Sequence, residues 1–286
     1  MCDDTTEKEN NAWLDSHPEL TRRQFGQLTA AMALTTMLPS QANALDVTGT
    51  DVAITTPDGI TDAYYVHPAE GRYPAVLMWP DIFGLREAKQ KMADRLAASG
   101  YSVLVVNPFY RDTKAPIDRT EDFWAMISPM RAKLTQEANF NDARAYVAWL
   151  DKQSAVDTTK GIGTLGYCMG GPIVMRTAAA VPERIRAGAS FHGGRLATAK
   201  NDSPHLLIPT MQASFLIAVA ENDDEKEPDT KNILKENFSS AGLSAEIEVY
   251  EDAMHGWCPP DSRVYHEAQA ERAWARLLAL LESSLD

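Results

Sequence analysis

From residue 45 onward, short uninterrupted apolar runs alternate with longer stretches in which apolar positions recur at helical spacing. The runs "PAVLMW" (74–79), "YSVLVVN" (101–107), "GIGTLG" (161–166), "IRAGASF" (185–191), "SFLIAVA" (214–220) and "AEIEVYE" (245–251) read as buried strands. Between them, 86–100, 121–127, 137–153, 171–180, 229–242 and 262–283 read as helices, the first ending on Gly100 as a helix C-terminus should. Ahead of these, "DVAITT" (51–56) and "DAYYVHP" (62–68) flank a Pro57-Asp58-Gly59 turn and predict an antiparallel opening hairpin. Such alternation builds a mostly parallel open sheet with helices on its faces, and it contains no second domain boundary.

Composition narrows this little: 286 residues, 44% hydrophobic and 23% charged, suffice for one large core. Charge excludes more. The formal charge is -13 and no basic run interleaves with aromatics, so the cationic surface that nucleic acid requires is missing. No stretch of about 18 apolar residues is present, so stable membrane insertion is not expected.

The first 44 residues break the pattern. Arg22 and Arg23 precede a mild apolar segment that closes on Ala42-Asn43-Ala44, a small-x-small cleavage site, so 1–44 reads as a twin-arginine export signal. The alternative is an amphipathic helix with two solvated arginines on a cytoplasmic protein. Removal would leave a domain from 45 to 286, its formal charge reduced from -13 to -10, placed in the periplasm or outside.

Candidate chemistry centres on "GTLGYCMGGP" (163–172). The spacing of "GIGTLG" imitates a dinucleotide loop, but "DKQSAVDTTK" before it is polar, so the glycines lie inside the strand rather than after one. Gly166 and Gly170 flank Cys168 at two residues on either side, the spacing of a nucleophile elbow between strand and helix. A thiol there would sit at the N-terminus of the following helix, where backbone N–H groups favour a thiolate and a developing oxyanion. Downstream, "ENDDE" offers Asp223, with Asp224 as the fallback, and "DAMHGW" offers His255, each beyond a strand end and in the order nucleophile, acid, histidine. His192, in "SFHGG", could line the cleft or serve structure, whereas His67 and His266 read as surface or packing residues. No histidine pair has zinc-site spacing, so neither a metal nor another cofactor is predicted.

Residues 73–111, "GTLGYCMGG", "AENDD" and "DAMHGW" together resemble the dienelactone hydrolases, α/β-hydrolases with a cysteine nucleophile, over most of 50–283. That resemblance implies Cys168 as nucleophile, His255 as base and Asp223 as the residue orienting it. It further implies an oxyanion hole from the N–H groups of Ile82 and Met169, and an acid, Asp81, against the resting thiol. Asp81 stands where the best-known members have Glu, and Trp257 where they usually have Phe. Their substrate-carboxylate arginines have no motif here; Arg86 and Arg119 are candidates, with a surface salt bridge as the alternative for each. The implied substrate is a small activated ester or lactone, with a general carboxylesterase or thioesterase as the second reading. The rival from another class is a redox or structural protein with a Cys168–Cys258 disulfide.

Overall fold

The computed structural model describes residues 4–16, 44–120 and 122–285. The twin-arginine pair and the Ala42-Asn43 side of the cleavage site fall outside them.

Eight strands form one sheet in the order β1-β2-β4-β3-β5-β6-β7-β8. They are β1 (Val47–Thr56), β2 (Gly59–Pro68), β3 (Ala75–Trp79), β4 (Ser102–Val106), β5 (Ile162–Tyr167), β6 (Ile185–Phe191), β7 (Ser214–Ala220) and β8 (Ala245–Tyr250). β1 and β2 form the expected hairpin, Thr56 paired with Gly59, and β2 is antiparallel to β4. From β4 to β8 all pairings are parallel. The mostly parallel single-domain α/β-hydrolase sheet is therefore what the apolar runs build. β1 begins four residues earlier than its apolar run, because pairing with β2 carries the strand past the point where burial stops.

Alternation along β3 sorts its side chains onto two faces: Ala75, Leu77 and Trp79 enter one core cluster, Val76 and Met78 the other. The helices covering the first face are α4 (Gln136–Leu150) and α5 (Gly170–Ala180), with α7 (Thr230–Ser240) further along it. The second face is covered by α2 (Glu87–Ala98) and α8 (Glu267–Leu285), whose Leu96, Ala97, Leu277 and Leu281 are buried. Helix α3 (Phe123–Ala132) carries Phe123 and Ile127 into a smaller cluster with Ile82 and Phe109. Two elements were not anticipated: α1 (Asp4–Ser16), inside the segment read as a leader, and α6 (Glu221–Lys226), inside the acidic stretch read as a loop.

The chain leaves β3 for β4 on one side and later returns to β5 on the other, so the strand order reverses at β3. Open α/β sheets have a crevice at such a reversal, beyond the carboxyl ends of the strands. Trp79 and Gly166 are paired at those ends, which brings residues 81–82 beside residue 168.

Leu277 is fully buried between α8 and the sheet. Leu277→Ala is expected to lower stability by about 2–5 kcal/mol, the usual cost of a core leucine deletion. Urea denaturation followed by circular dichroism measures it, and a loss below about 0.5 kcal/mol would contradict the packing described.

Candidate active site

Cys168 stands between β5 and α5 with φ = 53°, the left-handed region that costs a side-chain-bearing residue about 1–3 kcal/mol. Two close approaches hold it there. A Cβ on Gly166 would lie 2.5 Å from the Gly170 carbonyl oxygen, and one on Gly170 would lie 2.6 Å from that of Trp79. Both neighbours are backbone, so neither can give way cheaply. The Cys168 N–H donates to the Phe191 carbonyl at 3.0 Å, and its own carbonyl accepts from Gly171 N–H at 3.1 Å.

His255 arrives from the loop after β8, which is stitched to the start of α6 residue by residue. Glu221 N–H donates to the Ala253 carbonyl at 3.0 Å, and the Glu221 carboxylate accepts from Asp252 N–H at 2.8 Å. Asn222 Oδ1 accepts from His255 N–H at 2.8 Å, and Asp223 Oδ2 lies 2.6 Å from His255 Nδ1. Nε2, the remaining ring nitrogen, is buried with no other aligned partner among the described residues, and the Cys168 thiol is within hydrogen-bonding reach of the imidazole. Asp224 is elsewhere: its carboxylate is held by Lys231 at 2.6 Å.

Burial alone would favour neutral imidazole, but the Asp223 carboxylate and the Cys168 sulfur, by charge and hydrogen bonding, push His255 up to about 10. His192 is the opposite case. Fully buried, with its φ at 42°, it packs edge-on against His255 at 5.0 Å and Trp257 at 5.2 Å between ring centroids. Burial and the neighbouring His255 charge push it well below 6.5, so it stays neutral. It lines the site, the first of its two readings.

Ile82 and Met169 share the cluster under α3. Among the described residues nothing accepts from either N–H. Asp81 is held by two cations and a backbone donor. Arg86 Nη1 and Nη2 donate to its two oxygens at 2.8 and 3.0 Å, Lys89 Nζ lies 3.1 Å away, and Phe83 N–H donates at 3.0 Å. Burial opposes the charge, but Lys89 and Arg86 hold the Asp81 carboxyl well below the usual range. Arg86 also grips Asp261, at 2.6 Å from Nε, and Arg119 reaches the same carboxylate at 3.2 Å. Both arginines thus follow the salt-bridge alternative.

Lys89 was not anticipated. It is fully buried, its Nζ 3.6 Å from the centroid of the Tyr167 ring, beside the elbow. The signal was present in the sequence: Lys89 shares a helical stripe with Ala93, Leu96 and Ala97. Cys258 is a second buried thiol, and both it and Cys168 are free, so the disulfide alternative does not describe this structure.

A strained thiol, an imidazole backed by a carboxylate and two free N–H groups at a sheet reversal are the equipment of an α/β-hydrolase. The pattern of the dienelactone hydrolase family matches residues 61–285, and the chain belongs to that family. It is 27% identical over 257 residues to a Methylorubrum extorquens protein provisionally named a carboxymethylenebutenolidase, covering 88% of this chain and 86% of that one. An Escherichia coli protein with the same provisional name is 26% identical over 221 residues, 76% of this chain and 80% of its own. Among solved structures, a dienelactone hydrolase-type protein from Klebsiella pneumoniae superposes with a TM-score of 0.73 at 22% identity, covering 83% of this chain and 99% of that one. The dienelactone hydrolase-like promiscuous phosphotriesterase P91, from metagenomic libraries, gives 0.71 at 19%, with 84% and 99% covered. The chain is a hydrolase of that family.

The raised His255 pKa stabilises the folded chain fully below its unfolded value of 6.5, and that contribution is lost as pH rises through about 10. Imidazole NMR titration should find His255 protonated well above pH 7 in the intact protein. Asp223→Asn should bring the midpoint down. A wild-type midpoint near 6.5 would contradict the geometry.

Proposed function

We propose that the chain hydrolyses an activated ester or lactone through a Cys168-His255-Asp223 triad and a thioester intermediate. The observation that carries this reading is the left-handed elbow at Cys168 with His255 against its thiol and Asp223 on the far side of the ring.

At rest the Cys168 proton already resides on His255, whose imidazolium Asp223 stabilises, so the nucleophile is a thiolate. The sulfur forms a bond to the carbonyl carbon, and the carbonyl electron pair moves onto oxygen, where Ile82 and Met169 N–H groups receive it. Removing one such donor typically costs about 100- to 1000-fold in rate. Collapse restores the carbonyl and breaks the carbon–oxygen bond, and the imidazolium proton goes to the leaving alkoxide or enolate. Water, deprotonated by His255, then attacks the thioester and releases the acid and the thiol.

Lactones and enol esters fit because their leaving oxygens need little protonation, whereas amide nitrogen needs more. The relatives named for carboxymethylenebutenolide support that substrate class. With Arg86 and Arg119 paired to carboxylates, neither is assigned to a substrate carboxylate, so a broader ester range is the second reading. We further propose that residues 1–44 are an export leader and that the mature enzyme acts in the periplasm.

Cys168→Ala and His255→Ala should each abolish turnover of a lactone and aryl ester panel with circular dichroism unchanged. Cys258→Ser, behind the site in the apolar core, should retain it. In wild type, rapid quench with mass spectrometry should find an acyl group on Cys168. Sustained turnover in Cys168→Ala would refute the triad.

A further inference from the structure

Helix α1 lies across the site it precedes in sequence. Its Asn10 Nδ2 donates to the backbone carbonyl of His255 at 3.1 Å. Glu9 pairs with Lys226, three residues after Asp223 on the short helix α6. Glu7 accepts from the Trp124 indole N–H at 2.8 Å. Trp124 in turn packs in the cluster that holds Ile82 and Met169. Leu14 is buried against Met254 and Val264, with Trp13 beside it.

These partners stand on opposite walls. Trp124 belongs to the side with the free N–H donors, and Lys226, Met254 and His255 belong to the acid and histidine side. Glu7, Glu9 and Asn10 lie within about one helical turn, some 5 Å of axis, so one short segment ties both walls together. Beneath it Cys168 is 2% and His255 1% exposed.

We propose that the mouth of the active site is a docking surface for a short, polar, acidic helix, and that its occupant is residues 4–16 of the same chain. Docked, this helix closes the site to substrate. Cleavage after Ala44 would sever its covalent tether, and the contacts then retaining it would include the Glu9–Lys226 ion pair, the Glu7–Trp124 and Asn10–His255 hydrogen bonds and the burial of Leu14. Surface pairs of this kind contribute little and weaken with salt, so the freed helix would leave the mouth.

The turnover arm of the test rests on the hydrolase reading above; the chemical arm does not. Four chains are compared: full length, full length with Leu14→Asp and Glu9→Lys, full length with Glu9→Lys and Lys226→Glu, and the chain beginning at Leu45. Alkylation of Cys168 by iodoacetamide is followed by peptide mass spectrometry, with circular dichroism confirming the fold of each. Undocked and shortened chains should be alkylated at least about tenfold faster than full length, the scale set by losing one buried leucine. The Glu9/Lys226 swap should remain slow, because it restores the ion pair with reversed sign. Aryl ester kcat/KM should rise in parallel. Equal alkylation rates in full-length, undocked and shortened chains would overturn the proposal. Faster alkylation with no turnover in any chain would uphold the docking and overturn the hydrolase reading instead.

Discussion

The site depends on one backbone constraint: at the end of β5 the chain must turn into α5 within the space of Cys168, and it does so at φ = 53°. Strain of this kind persists only where the surroundings over-determine it. Here they do so from three sides. The Gly170 backbone presses on Gly166 and the Trp79 carbonyl presses on Gly170, while the Phe191 carbonyl takes the Cys168 N–H. Those groups come from α5, β3 and β6, and β3 and β6 flank β5 in the sheet. The same contacts that force the turn fix where the thiol stands, so strain and thiol placement are one feature of the sheet.

Beside the elbow is a buried charge cluster of Asp81, Arg86 and Lys89. A lysine ammonium under Tyr167 would, if unpaired, be costly to bury and would bias every titration around it. Its charge reaches His192 and Cys258, disfavouring the imidazolium of one and favouring the thiolate of the other. Asp81 neutralises it while also accepting from Arg86. The aspartate side chain, one methylene shorter than glutamate, is taken up by these cations and by Phe83 N–H.

How much was legible follows from what each element owes to local pattern. Strands β3 to β7 were readable because burial on both faces leaves mostly apolar runs, and the edge strand β8 because Glu246 and Glu248 alternate with Ile247 and Val249. The elbow was readable because only glycine tolerates the approaches around it. Their order in the sheet was not, since nothing local to β4 or β5 says on which side of β3 each will pair. Lys89 escaped because a charged residue reads as surface even when its helical neighbours Ala93 and Leu96 are core. The pairing of Asp81 with two cations required knowing that α2 starts directly over the β3 loop.

Helix α1 escaped for the deepest reason. Its sequence, "DTTEKENNAWLDS", has one apolar pair near its end and no stripe, so its helicity comes from what it touches rather than from periodicity. Short isolated helices of this length are marginal in water, and this one gains its order from Trp124, Lys226, Met254 and the His255 carbonyl. A segment stable only when docked is suited to a temporary role, since losing the surface and losing the fold become one event. Its acidic, polar character, out of place in an ordinary signal peptide, is then accounted for by the groups it meets: a lysine ammonium, an indole N–H and a backbone carbonyl around the same cleft.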